Sequence, residues 1–212
     1  MQLMGESMKK IVINHWMNII KNKKNYDNKK LDEIKYGLTA IYLTFSKLII
    51  IAGISIILGI FKEMIIFLLI YNVLRIPSFG IHATKSWICL ITSSILFIGF
   101  PILCLNITLN IYFKLVVGII GFILMIKNSP ADTKKRPICN PKRRMIYKII
   151  SSTFASIFVI LSIILKNNFI VNCLVSSLML QNVMISPLTY KIFRQPYNNY
   201  KDFLKLHPDF LN

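Results

Sequence analysis

The chain has 212 residues, of which 55% belong to the hydrophobic set and only 16% are charged. A soluble domain usually carries about 45–50% apolar and about 25% charged residues, so the composition excludes an ordinary soluble domain and indicates a membrane protein. The formal net charge is +18. Most lysines and arginines lie in blocks between apolar runs, as in cytoplasmic loops that face anionic lipid, and no separate basic domain exists to bind nucleic acid.

Residues 1–37 are polar and rich in lysine. Apolar side chains recur among them at helical spacing and predict an amphipathic helix: Met8, Ile11, Val12, Trp16, Ile19 and Ile20. We expect this helix either to lie on the anionic inner leaflet or to pack on the cytoplasmic side of the protein itself. Residues 1–37 are therefore assigned to a cytoplasmic N-terminal segment, residues 38–190 to a membrane domain and residues 191–212 to a cytoplasmic tail.

Six apolar segments follow, at residues 38–60, 63–80, 87–106, 108–127, 145–165 and 168–190. A helix needs about 20 mainly apolar residues to cross the hydrocarbon core, so the pattern predicts an all-α, polytopic bundle with about six transmembrane segments. The second segment is the weakest, because its uninterrupted apolar run extends only from Met64 to Leu74. It either crosses with an irregular end or re-enters the membrane without crossing.

The placement of positive charge predicts the orientation. With the N-terminus inside and six crossings, the inner segments hold every lysine and arginine except Lys47, Lys62, Lys114 and Lys166. Cytoplasmic loops are enriched in these residues, so both termini are predicted to be cytoplasmic. The same rule places the connection between the second and third segments at the cytoplasmic face.

That connection holds the residues best suited to nucleophilic catalysis. It runs from Arg75 through Gly80 and His82 to Cys89. Thiolate is the nucleophilic form of cysteine, and a nearby imidazole or a helix N-terminus raises the thiolate fraction. We expect Cys89 in the first turn of the third apolar helix, where the helix dipole favours negative charge. His82 and Cys89 are therefore the candidate catalytic pair.

Helix geometry constrains this pair. Residues seven apart lie about 10.5 Å apart along a helix axis, so His82 and Cys89 come within hydrogen-bonding reach only if the chain bends. We therefore predict that residues 76–86 do not form one continuous helix, and that Pro77 and Gly80 permit the turn.

A second window opens the basic loop after the fourth segment. Pro130 is expected to end that helix, and Asp132 and Thr133 suit a turn or a helix N-cap. The functional alternative is that Asp132 orients His82, or that the cations of the loop hold an acidic peptide. The sequence leaves both interpretations of Asp132 open.

Structural explanations of the same residues also stay open. Arg75 and Lys85 suit cations at a membrane boundary, and an isolated His and Cys at this spacing is a weak pattern. His15 and His207 are interpreted as surface residues. Since only one Cys/His pair is clustered, whereas zinc takes three or four protein ligands, we expect no metal and no cofactor.

Together the two windows closely resemble the accessory gene regulator protein B (AgrB) family of bacterial quorum-sensing peptidases. The first match is R-x4-G-x-H-x6-C, carried by Arg75, Gly80, His82 and Cys89. The second is P-A-D-T-x3-P, carried by residues 130–137. Chain length and hydropathy agree with the family over nearly the whole sequence, and the two motifs in this order are fairly specific.

The resemblance implies a membrane cysteine endopeptidase that cleaves the precursor of an autoinducer at its C-terminal side. On this model the Cys89 thiolate forms a thioester and His82 is the general base. A Cys or Ser within the precursor then takes the acyl group, which gives a cyclic thiolactone or lactone. Arg75 is implied to bind a precursor carboxylate and Gly80 to shape the backbone. Phe79 stands where many members carry a second glycine, so the local turn differs.

The implied partners are the precursor peptide and a bilayer with an anionic inner leaflet, in a bacterial cell membrane. The implied active site faces the cytoplasm, and a homo-oligomer is left open. The alternative is a small membrane transporter or a peptide-binding scaffold without enzymatic activity. Transport would favour charges or broken helices near the membrane midplane, whereas here the polar break lies near the inner boundary.

Overall fold

A computed structural model gives the structure of the chain and describes residues 2–23, 26–81, 86–133 and 137–206. The predicted catalytic residue His82, together with Lys85 and His207, lies outside the described residues. The chain divides into two compact units, Met1–Ile57 and Leu58–Asn212. Throughout the described part the secondary structure is helical, apart from isolated bridges, which confirms the all-α class.

The first unit consists of α1 (Gln2–Lys23) and α2 (Asn28–Ile57). The two helices pack together, and α1 buries Ile13 and Met17. Ile11 and Trp16 of the predicted apolar face remain exposed, so contact between this face and a membrane stays a prediction. Helix α2 continues across residue 37, so the predicted change from polar segment to membrane domain lies inside a helix.

The second unit contains the remaining helices, which follow the other predicted segments closely. They are α3 (Phe61–Ser78), α4 (Ser86–Ser94), a π-helical turn (Ile95–Gly99), α5 (Phe100–Asn106), α6 (Ile111–Asn128), α7 (Pro141–Ile164), α8 (Asn168–Ile185), α9 (Pro187–Ile192) and α10 (Asn199–Leu206). Three of them begin at an asparagine whose side chain accepts a backbone N–H of the first turn: Asn110, Asn140 and Asn167. Asparagine is among the best N-cap residues, so the sequence sets these helix starts locally.

Helix α8 lies in the middle of the second unit. It packs against α3, α5, α6 and α7. Buried residues make up 56% of its apolar window, against 11% for the window of Trp87–Asn106. Amide side chains tie α8 to its neighbours: Asn172 donates to the Cys104 carbonyl at 2.9 Å, and Asn182 to the Gly121 carbonyl at 3.0 Å. Such bonds between apolar helices contribute about 0.6 kcal/mol each on average.

Five described helical segments are long and apolar enough to cross a membrane: Lys30–Ile57, Trp87–Asn106, Ile111–Asn128, Pro141–Ile164 and Asn168–Ile185. They present many exposed isoleucines and leucines, which suits lipid-facing surfaces of a multi-pass membrane protein. The remaining predicted segment, the second in chain order, corresponds to α3, which has 18 residues but carries Lys62, Glu63 and Arg75. Whether α3 crosses the membrane, and hence the side of each terminus, stays a prediction.

The connections of the second unit that were predicted to be cytoplasmic lie together at one end of the helices. The backbone of Gly80, after α3, bonds to Ala131, after α6. The backbone of Asn199, at the start of α10, bonds to Asp132. The described parts of three separate segments therefore meet at one end of the unit, and that this end faces the cytoplasm stays a prediction.

Candidate active site

The site is organised around a turn at the end of α3. The helix ends at Ser78, and Phe79 and Gly80 follow with φ angles of 57° and 113°. The Phe79 N–H donates to the Arg75 carbonyl at 3.0 Å and closes the last helical turn. This confirms the predicted break within residues 76–86. The break begins at Phe79 and not at residue 76, because the last turn of α3 accommodates Pro77.

Phe79 occupies a backbone conformation that glycine adopts without strain. Its φ of 57° and ψ of −129° cost an ordinary residue on the order of 1–3 kcal/mol. The Phe79 ring packs edge-on against Tyr147, with ring centroids 5.0 Å apart, and this contact offsets part of the cost. The geometry would suit a glycine at this position, and it shows that the turn forms with phenylalanine as well.

Arg75 holds the turn from inside. Its Nη1 donates to the Phe79 carbonyl and its Nη2 to the Ile81 carbonyl, each at 2.7 Å. The planar guanidinium suits this forked contact with two acceptors, whereas a lysine ammonium is a single point charge. The side chain that was expected to bind a precursor carboxylate therefore uses two of its five donors on the backbone just before His82.

Gly80 joins the two sequence windows. Its N–H donates to the Ala131 carbonyl at 2.9 Å, and the Ala131 N–H donates to the Ser78 carbonyl at 3.0 Å. A Cβ at position 80 would lie 2.6 Å from Arg75 Nη1 and 2.9 Å from the Met184 carbonyl oxygen. Both the positive φ and the crowding require glycine here. The expectation that Gly80 shapes the backbone thus has a structural basis.

Helix α8 supplies contacts that the sequence analysis did not identify. The Met184 carbonyl accepts the N–H of Ile81 at 3.1 Å. The Gln181 side chain donates to the Ser78 hydroxyl at 2.6 Å and to the Phe79 carbonyl at 2.8 Å. An adjacent pair of amides within an apolar segment was the available indication, because polar side chains within such segments usually bond to another helix.

The Asp132 carboxylate binds the C-terminal part of the chain. It is 2% exposed and accepts backbone N–H groups of Asn199 at 3.1 Å and Tyr200 at 2.8 Å. A negative charge at this place also interacts favourably with the N-terminal end of the α10 dipole. Arg144 lies 3.9 Å away and stacks on the Tyr200 ring. Asp132 thus fixes α10 to the loop, and the idea that it orients His82 stays a prediction.

The four cysteines are free thiols in different environments. Cys104 and Cys173 are buried among apolar helices. Cys139 is half-buried in the loop before α7, and burial, followed by the charge of Asp132, raises the pKa of its thiol. Cys89 is also half-buried and lies in the first turn of α4, as predicted; its thiol makes no hydrogen bond to any residue that the structure describes. Burial makes Cys104 and Cys173 inaccessible to a substrate, and the raised pKa makes the Cys139 thiol a poor nucleophile.

A cationic pocket of about 560 Å³ lies beside the same loop. Ser129 and Pro130 form one wall, Tyr197 and Tyr200 another, and Lys127, Arg144 and Lys148 supply the positive charge. The pocket shares the loop that bonds to the turn at Gly80. Within the described residues, His, Cys, Asp and Glu form no group of three that could hold a metal ion.

Comparisons with known proteins agree with the two sequence motifs. The family model for accessory gene regulator B matches residues 13–185. An AgrB-like protein of Clostridium acetobutylicum is 30% identical over 174 residues, covering 82% of this chain and 83% of its own length. The accessory gene regulator protein B of Staphylococcus epidermidis is 30% identical over 178 residues, covering 84% and 88%. No solved structure gives a significant match. The chain belongs to the accessory gene regulator B family.

Proposed function

We propose that this protein is a membrane cysteine endopeptidase that processes the precursor of a quorum-sensing autoinducer, with Cys89 as nucleophile and His82 as general base. The observation that carries the proposal is the turn after α3. Two residues of the motif R-x4-G-x-H-x6-C, Arg75 and Gly80, hold the backbone that leads into His82. These contacts of two motif residues support the interpretation of the motif as more than a pattern of spacing.

The chemistry divides into two acyl transfers. The Cys89 thiolate attacks the scissile carbonyl, His82 protonates the departing amine, and the C-terminal fragment of the precursor leaves. A Cys or Ser side chain within the precursor then loses its proton to His82 and attacks the thioester. The new bond closes a thiolactone or lactone ring and releases the Cys89 thiol. Water must be excluded meanwhile, because hydrolysis of the thioester would give a linear product.

The position of the turn supports access from the cytoplasmic side. The turn bonds to the loop after α6, and this loop bonds to α10. These segments hold many of the basic residues that the positive-inside rule assigns to the cytoplasm. A precursor made in the cytoplasm would meet Cys89 at the membrane boundary without crossing the bilayer.

The cationic pocket is a suitable place for an acidic part of the precursor. Lys127 and Lys148 are exposed at its edge, and its wall is the loop that supports Gly80. Carboxylates bind such cations through charge-assisted hydrogen bonds, which are roughly twice as strong as neutral ones. An acidic segment held here would orient the rest of the peptide relative to the turn.

The test is co-expression with a candidate precursor whose processing is followed by mass spectrometry. Wild type, Cys89→Ala and His82→Ala are compared at equal membrane content, and Cys139→Ala serves as the matched control, because Cys139 is half-buried like Cys89. The proposal predicts product from wild type and Cys139→Ala and none from the other two. Normal processing by Cys89→Ala would contradict it and would favour a transporter or scaffold.

A further inference from the structure

Gln181 is a buried amide at the contact between α8 and the turn after α3. Its side chain is fully buried within an apolar helix. The Nε2 group donates to Ser78 Oγ at 2.6 Å and to the Phe79 carbonyl oxygen at 2.8 Å. This contact joins residues 102 positions apart in the chain. It fastens the turn to the central helix of the bundle, whereas Arg75 fastens it to its own helix.

The turn depends on such contacts because its own backbone conformation is unfavourable. Phe79 has a positive φ that is strained for a residue other than glycine, so an unsupported chain would relax from this shape. The Phe79 carbonyl accepts two donors, Arg75 Nη1 and Gln181 Nε2. With the Met184 carbonyl bonded to the Ile81 N–H, α8 fixes the turn on both sides of Gly80.

We propose that Gln181 is a positioning residue of the peptidase. It fixes the turn Phe79–Ile81 and thereby the backbone position from which the chain continues to His82. The inference rests on the proposed function, since positioning has meaning only if His82 acts on Cys89. Gln181 does not touch the reacting atoms. It acts through the Phe79 carbonyl and the Ser78 hydroxyl.

The two groups that accept hydrogen bonds from Gln181, the Ser78 hydroxyl and the Phe79 carbonyl, also have other partners. A positioning role can therefore be distinguished from a contribution to stability. Without the Gln181 amide, the Phe79 carbonyl keeps its bond from Arg75 and the Ser78 hydroxyl keeps its bond to the Leu74 carbonyl. Gln181 Oε1 has no hydrogen-bond partner among the described residues, so an apolar replacement also removes an unsatisfied oxygen. Gln181→Met conserves length and volume, and we expect the protein to remain folded.

The matched control is the adjacent residue. Asn182 is a buried amide on the same helix, and its Oδ1 likewise lacks a partner among the described residues. Its Nδ2 bonds to the Gly121 carbonyl of α6 and not to the turn. Asn182→Leu therefore removes an equivalent hydrogen bond while the turn keeps all its contacts.

The experiment measures kcat and KM for precursor cleavage by the detergent-solubilised full chain. A displacement of about 1 Å at a reacting group lowers the rate by roughly a hundredfold. We expect Gln181→Met to lose kcat on that scale with little change in KM, and Asn182→Leu to stay within about threefold of wild type. Wild-type kcat for Gln181→Met, or an equal loss for Asn182→Leu, overturns the proposal.

A second measurement reports on the site without the substrate. The rate at which iodoacetamide alkylates Cys89 is followed against pH by peptide-resolved mass spectrometry. If Gln181→Met displaces His82, the alkylation rate of Cys89 falls across this profile, because the thiol loses the imidazole that is proposed to activate it. An unchanged profile contradicts the proposal. Should Gln181→Met insert poorly, Gln181→Asn replaces it, because its shorter amide does not reach Phe79; wild-type kcat for that variant also contradicts the proposal.

The two proposals fail in distinguishable ways. If the Cys89→Ala variant is active, the proposed peptidase mechanism is wrong, and so is the positioning role of Gln181. If Cys89→Ala is inactive and Gln181→Met is fully active, the proposed peptidase mechanism stands and only the positioning role of Gln181 is refuted.

Discussion

Replacing Gly80 by alanine places a methyl group where the fold leaves no room. The new Cβ would lie 2.9 Å from the Met184 carbonyl oxygen and 3.2 Å from Ile185 Cγ2. The carbonyl belongs to the backbone of α8 and cannot move without shifting the helix. The φ of 113° adds about 1–3 kcal/mol of strain for an alanine, and overpacking typically adds about 1–3 kcal/mol.

The expected cost of Gly80→Ala is thus about 2–6 kcal/mol if the turn keeps its shape. If the turn relaxes instead, the strain falls but the backbone before His82 moves. A displacement of a reacting group by about 1 Å lowers the rate by roughly a hundredfold, so we expect activity to be lost in either case. We therefore expect precursor cleavage to fall at least that far, together with a lower unfolding temperature in detergent.

Gly59→Ala is the control for backbone strain alone. Gly59 has a φ of +69°, but a Cβ there would meet nothing within 4 Å. We expect a loss of about 1–2 kcal/mol from the left-handed conformation and near-normal cleavage by the folded protein. If Gly80→Ala cleaves the precursor as well as Gly59→Ala does, the turn does not position the site, and the reasoning is refuted.

Four further predictions concern single side chains. Arg75→Lys should lower kcat at least tenfold without raising KM, because a lysine ammonium lacks the rigid planar fork that directs two donors at the two carbonyls; a selective rise in KM would instead indicate substrate binding. Asp132→Asn should weaken the attachment of α10 by about 1–3 kcal/mol and make α10 sensitive to trypsin; intact protection with lost activity would favour an orienting role. The raised pKa of the Cys139 thiol predicts slow alkylation at neutral pH that accelerates only in more alkaline solution than an ordinary thiol requires, and labelling at neutral pH as fast as that of an ordinary thiol would contradict it. Lys148→Ala should raise KM for the precursor several-fold, whereas Lys166→Ala, away from the pocket, should not; equal effects would argue against the pocket.

The helices of this protein could be predicted from the sequence because local patterns determine them. Apolar runs of sufficient length predicted the spans, and the structure adds the N-cap residues Asn140 and Asn167, which the prediction did not use. The break after α3 was also predicted, since Pro77 and Gly80 weaken a helix locally. What was predicted correctly depends on interactions between residues close in sequence.

The support of the turn could not be predicted in the same way. It depends on Gln181 and Met184, about a hundred residues after the turn, and nothing in the local sequence indicates that α8 passes beside Gly80. The role of Asp132 illustrates the same limit. Its position in the loop suited a cap, but the helix that it caps, α10, lies 67 residues further along the chain.

The most direct test of the account is to trap the intermediate on Cys89. The full chain is mixed with precursor whose internal Cys or Ser is replaced by Ala, so that ring closure is blocked, and quenched in acid. Peptide mass spectrometry should find the N-terminal part of the precursor attached to the peptide that contains Cys89, and hydroxylamine should remove it. Cleavage of the precursor with no adduct on Cys89, or with the adduct on Cys139, would contradict the proposed mechanism.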